Sequence, residues 1–155
     1  MHEPHCGGRS IEKALMNHAH SDNFNGNHHI PIQVIKLNVD NYDSYLKFRV
    51  IRDPRDWLVT CWSRNENTLD FEDWAKTKGL TFKVNGTLFW RYEEVDTTLR
   101  LESIQDEINT LFYGMPHIYI EHIGVIHNKP HWSDLTSDKL LRRLYPDISK
   151  YNYDL

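Results

Sequence analysis

The stretch KFRVIRDPRDWLVTCWSR, Lys47 to Arg64, decides how the rest of the chain is read. With Leu46 before them, Phe48, Val50 and Ile51 mix aromatic and β-branched residues in a short run, which favours a strand over 46–51. Pro54 suits the first turn of a following helix, expected over 54–63. Arg52 therefore falls at the carboxyl end of the strand. The helix beyond it adds N–H groups and positive potential, and a guanidinium can grip phosphate oxygens through two parallel hydrogen bonds. Thr60, part-way along the helix, offers a hydroxyl. The competing reading is that Arg52 pairs with Asp53 or Asp56 and closes a strand-to-helix turn.

The segment resembles the motif by which sulfotransferases hold the 3'-phosphate of PAPS (3'-phosphoadenosine 5'-phosphosulfate). In that family a strand is followed by Arg-Asn/Asp-Pro, an Asp or Arg, and a hydroxyl residue eight positions after the first Arg. Arg52 and Thr60 keep this spacing. A second stretch, HEPHCGGRSIEKAL, His2 to Leu15, is similar to the family's Pro-Lys-Cys/Thr-Gly-Gly-Thr-Ser loop, which cradles the 5'-phosphosulfate. Pro4, Cys6, Gly7, Gly8 and Ser10 agree, and a helix is expected over 10–17. Paired glycines let backbone N–H groups approach an anion, and the helix adds its dipole. The resemblance is to the carbohydrate- and heparan-type branch.

What the resemblance implies is concrete. Cys6, Gly7, Gly8, Arg9 and Ser10 would cradle the phosphosulfate, and Arg52 and Thr60 would hold the 3'-phosphate. His5 stands where the family has the Lys that helps the bridging oxygen leave. It is a cation only when protonated, and an unperturbed His is mostly neutral at pH 7. Arg9 stands in place of the family's Thr. His29, in HHIPIQVIK, matches a Lys-His-Ile segment between the two motifs, and is the candidate general base, with His20 and Glu12 in reserve. The expected reaction moves a sulfuryl group from PAPS to a hydroxyl or amine on a small-molecule or carbohydrate acceptor, leaving adenosine 3',5'-bisphosphate. The alternative is a non-catalytic nucleotide- or anion-binding domain on a degenerate sulfotransferase fold. A kinase is a third reading, but Gly7-Gly8-Arg9-Ser10 lacks the Gly-Lys-Ser/Thr that such enzymes place on phosphate and magnesium.

Toward the carboxyl terminus, Tyr92 to Phe112 is similar to the family's short strand leading through Arg-Phe-Glu into a helix, with Arg100, Leu101 and Glu102 in the matching places. Ile104, Ile108, Leu111 and Phe112 recur at helical spacing, an apolar face that core packing explains, and Ser103 with Asp106 is the expected cap. The ending resembles the family's last helix, with Asp147, Ile148, Tyr151 and Tyr153 in place. Ile118, Ile120 and Ile123 suggest packing, and Lys129 stands near a stretch that closes over nucleotide in the family.

Between these motifs, SDNFNGNHH reads as loop and PIQVIKL as helix or strand. FEDWAKTKG, from Phe71, reads as a short helix stopped at Gly79, and Asn85-Gly86 is the strongest hairpin signal. The expected fold is α/β, one domain over 1–155, a small three-layer sandwich with a mostly parallel sheet of the P-loop-like kind. Its first strand is expected to be truncated, because the glycine loop comes so early.

The chain has 155 residues and a formal charge of −4, which argues against a nucleic-acid surface and makes any phosphate site local. No apolar run approaches the length of about 18 residues that a membrane helix needs. No membrane contact and a cytoplasmic setting are therefore expected. Cys6 and Cys61 would be reduced thiols there, and the Asn85-Gly86-Thr87 sequon would be silent. Six of the ten histidines precede residue 30, yet His18, His20, His28 and His29 show no recognised zinc spacing, so no metal is expected. The five tryptophans fit cores as well as an acceptor pocket.

Overall fold

The computed structural model of the protein describes residues 5–16, 32–64, 68–79, 95–121 and 153. Five α-helices and two strands lie within them: α1 (Gly8–Leu15), α2 (Ile32–Asn38), β1 (Phe48–Ile51), α3 (Pro54–Arg64), α4 (Phe71–Trp74), β2 (Thr97–Arg100) and α5 (Ile104–Leu111). The fold is mixed helix and strand around a small parallel sheet, in agreement with an α/β architecture. The chain forms two compact units, Met1–Ile51 with Asn85–Gly124 and Arg52–Val84 with Val125–Leu155.

The first unit is organised by β1 and β2, paired in parallel with Phe48 opposite Thr97 and Ile51 opposite Arg100. Parallel neighbours need a long crossover, and here the chain between them runs through α3 and α4. The register is held at its start by Lys47. Its backbone N–H donates to Asp96 Oδ2 at 2.7 Å, its carbonyl accepts from Asp96 N–H at 2.8 Å, and its ammonium lies 3.4 Å from the same carboxylate. Beside this clamp, Arg49 Nε donates to Thr98 Oγ1 at 2.9 Å across the register pair.

Val50 and Leu99 meet Ile11 of α1, Ile104 and Ile108 of α5, and Ile118 and Ile120 in one apolar core. Phe48 and Phe112 pack on it edge to face, with centroids 6.1 Å apart. The helical-face expectation for 104, 108, 111 and 112 therefore holds, as does packing for Ile118 and Ile120.

The expected cap of α5 is corrected. Ser103 occupies the N-cap position but makes no capping bond to the helix backbone. Its hydroxyl donates instead to Glu107, whose other oxygen accepts the Arg100 N–H at 2.7 Å. A carboxylate one turn into the helix thereby ties β2 to α5, which a local capping rule does not foresee.

Along residues 117–121, beside α5, burial alternates, with Ile118 and Ile120 buried and Tyr119 and Glu121 exposed. Helix side chains bond the backbone of Ile118 and Ile120. Asn109 accepts from Ile118 N–H at 2.8 Å and donates to its carbonyl at 3.0 Å, while Gln105 donates to that carbonyl at 2.7 Å and accepts from Ile120 N–H at 3.0 Å. Two amides one helical turn apart thus act as a surrogate neighbouring strand. Lys13 of α1 also pairs with Glu121.

In the second unit, Trp57, Leu58, Val59, Cys61, Phe71, Trp74 and Tyr153 are buried. Phe71 contacts Trp62 edge to face at 5.6 Å and stacks on Trp74 at 6.2 Å. Asp70 caps α4 by accepting from Asp73 N–H at 2.9 Å. The helix then widens into a π turn over Ala75–Gly79, and the residues that would show the expected stop at Gly79 lie outside the described ones. PIQVIKL resolves as helix over Ile32–Asn38. The Asn85-Gly86 turn lies outside the described residues, as do Ile123, Lys129, Asp147, Ile148 and Tyr151.

Candidate functional site

The glycine loop belongs to the first unit. His5 and Gly7 both take left-handed backbone angles, φ 62° and 73°, and Gly7 is the residue from which α1 springs, with Ile11 N–H donating to its carbonyl at 3.1 Å. Helix therefore begins at Gly8, two residues before the expected start. The turn favours glycine at position 7 through its backbone angle, and the nearest neighbour is a movable leucine methyl. A side chain disfavours its φ, and a Cβ there would come within 2.5 Å of Leu101 Cδ1. Cys6, Gly8 and Ser10 are buried, His5 and Gly7 are half-buried, and Arg9 is exposed. Arg9 is thus the charge of this loop that faces water. Its backbone contains the positive-φ geometry and helix start from which N–H groups can converge on an anion.

The arginine site lies in the second unit. Pro54 opens α3, and Asp53 caps it, its Oδ1 accepting the Arg55 N–H at 2.8 Å. Arg55 closes back on the same carboxylate, Nε at 3.0 Å from Oδ1 and Nη2 at 2.7 Å from Oδ2. Arg52 turns the other way. Its Nη1 donates to Thr60 Oγ1 at 2.9 Å, and its Nη2 lies 3.8 Å from Asp56 Oδ2. Thr60 is only 2% exposed, and its hydroxyl donates in turn to the Asp56 carbonyl at 3.0 Å.

The two residues singled out by their eight-residue spacing are therefore brought together. Thr60 lies in the second turn of α3 and meets the Arg52 guanidinium there. The Thr60 hydroxyl acts on the guanidinium, fixing one of its nitrogens. Of the two carboxylates weighed as partners for Arg52, the structure sets Asp56 against it and gives Asp53 to Arg55. Sequence reasoning did not single out Arg55 as the partner that occupies Asp53. The signal was available in the Asp-x-Arg spacing.

Cys61, one residue beyond Thr60, is buried, and burial pushes its thiol well up despite the nearby Arg52 and Arg64. Cys6 is also buried, and neither is in a disulfide. Trp57 and Trp74 are buried and Trp62 is tied through its indole N–H to the Leu69 carbonyl at 3.1 Å, so these three serve packing. Among the described residues no cluster of His, Cys, Asp and Glu could hold a metal ion. His29, His20 and the other histidines of the amino-terminal loop lie outside the described residues, and Trp90 and Trp132 do too. No described helix is long and apolar enough to cross a membrane.

Comparison with protein-family models, with curated proteins and with solved structures finds no match to this chain.

Proposed function

We propose that the chain is a PAPS-dependent sulfotransferase or a close relative, of the three-layer P-loop-like kind. The observation that carries this reading is the hydrogen bond from Arg52 to Thr60, which joins the two residues of the 3'-phosphate motif across its full spacing. The loop from His5 to Ser10, with its left-handed glycine at a helix start, supports it. The residues fit the group: a guanidinium already fixed at one nitrogen, behind a capped helix, suits a terminal phosphate.

On this reading PAPS supplies the sulfuryl group, and the protein's part is positioning and charge. Arg52 grips the 3'-phosphate, and Cys6 to Ser10 present backbone N–H groups to the 5' end. His5, when protonated, donates to the bridging oxygen as charge develops there, and Arg9 adds potential. His29 would take the proton from the acceptor hydroxyl or amine.

A specific observation favours a second reading, a non-catalytic nucleotide- or anion-binding domain. The loop's matching position holds His5 in place of the family's Lys. Calorimetric titration with adenosine 3',5'-bisphosphate, against ATP with magnesium, tests the shared premise. Micromolar binding of the bisphosphate that is lost in Arg52→Ala is the expected result, and no binding would remove both nucleotide readings. Turnover that rises strongly in His5→Lys would separate an impaired enzyme from a binding domain.

A further inference from the structure

We propose that the run 117–121 is a self-pairing edge, through which two copies of the chain join as a symmetric dimer. It goes beyond the nucleotide reading and does not depend on it.

The geometry starts from α5. The groups that Asn109 and Gln105 bond are the N–H and carbonyl of Ile118 and the N–H of Ile120. These two residues are buried, while His117, Tyr119 and Glu121 are exposed, Tyr119 to 73%. Bonding and burial thus both repeat every second residue, which is the period of a β-strand. On that period the N–H and carbonyl groups of residues 117, 119 and 121 point away from α5. Among the described residues no hydrogen bond reaches the Tyr119 backbone. An edge of unpaired N–H and C=O groups is a template for a further strand.

The side chains on this edge select a second copy as the occupant. In an antiparallel pair centred on Tyr119, His117 faces Glu121 of the partner subunit and Glu121 faces His117 of the partner subunit. Tyr119 meets its own counterpart, and the two exchange both backbone bonds across a twofold axis. Histidine donates to a carboxylate in either protonation state and is a cation when protonated, so the run is complementary to itself in this register. A parallel, in-register pair would set Glu121 against another Glu121. Lys13 of α1 pairs with Glu121 and places its carboxylate on this face, leaving the side chain 58% exposed. The tyrosine rings then stand side by side as a cross-strand aromatic pair. Pro116, which has no N–H, ends the edge on one side. The interface is therefore small and the association reversible.

Sedimentation equilibrium of the full chain, at concentrations up to about 100 μM to suit a small interface, is the test. The wild type should associate reversibly to a dimer. His117→Glu sets Glu against Glu at both ends of the pair and should weaken association about tenfold or more. Adding Glu121→His to it swaps the two residues, restores donor against carboxylate, and should recover the dimer. Tyr119→Pro removes the central outward N–H, leaves the α5 bonds of Ile118 and Ile120 in place, and should give a monomer. Urea unfolding of each variant identifies any that has lost its fold, and the charge swap keeps the test decisive if the proline variant has.

A wild type that stays monomeric overturns the proposal and leaves the edge to a different chain or to solvent. A dimer that His117→Glu leaves intact overturns it as well, since association then uses another surface. Failure of the swapped double variant to recover what His117→Glu lost removes the antiparallel register and the proposal with it. None of these residues belongs to the glycine loop or the arginine site, so a failed titration with adenosine 3',5'-bisphosphate leaves the result unchanged.

Discussion

At Gly7 the backbone and its surroundings act on the same missing atom. With φ at 73° and Leu101 Cδ1 2.5 Å from where a Cβ would stand, Gly7→Ala meets a conformational cost of about 1–2 kcal/mol. The Leu101 contact adds little, because a leucine methyl can swing aside. Denaturant unfolding should show that loss without a change in the slope of the transition. Thr60 is the second residue with a separable role. Thr60→Val keeps its volume and removes the acceptor that fixes Arg52, so bisphosphate affinity should fall about tenfold, the worth of one hydrogen bond to a charged group. Thr60→Ser should retain most of it. Cys61, buried and with its thiol pushed up, should resist alkylation in the folded protein and react once denatured.

The run 117–121 behaves as an element only because α5 supplies what a sheet neighbour would. Asn109→Ala removes the acceptor of the Ile118 N–H and one of two donors to its carbonyl, the other being Gln105, beside a fully buried side chain, and about 2 kcal/mol of stability should go with it. Tyr119→Ala, exposed on the other face, should cost far less, and comparing the two by chemical denaturation isolates the backbone contribution. At α4 the Asp70 cap is worth about 1 kcal/mol on removal. Element types were largely legible where a local signal existed: the strand before Arg52, the helix opened by Pro54, the short helix from Phe71. Boundaries shifted where a distant partner intervened. Strand β1 starts at Phe48, two residues after its expected beginning, where Lys47 is engaged with Asp96 through its backbone. The Ser103 cap gave way to Glu107, a choice made by the position of β2.

For the whole molecule, charge enters stability through specific carboxylates more than through the net value of −4. The Lys47 backbone N–H holds the Asp96 carboxyl below its usual range, and the hydrogen bond from Lys13 does the same for Glu121. Both folded values are depressed, so their contributions are complete above the unfolded range near pH 4 and vanish as pH falls through the folded values. Acid unfolding should therefore begin at higher pH in the wild type than stability at neutrality alone suggests. Asp96→Asn, which can still accept from the Lys47 N–H, should flatten the acid limb of a stability-against-pH curve. Glu121 is exposed, so its part should shrink in high salt.

The sequence by itself determined the local chemistry: a strand-to-helix turn at Arg52-Asp-Pro, a glycine turn into a helix, an apolar face on α5, and a spacing that singles out Arg52 and Thr60. These are short-range consequences of backbone angles and helical period, present in any window that contains the residues. Only the tertiary structure decided that Asp56 lies by Arg52 while Arg55 bonds Asp53, that Glu107 ties α5 to β2, and that Gln105 and Asn109 bond the backbone of Ile118 and Ile120. Each of those choices is a competition among several chemically adequate partners, and it is settled by which of them the packing brings within reach.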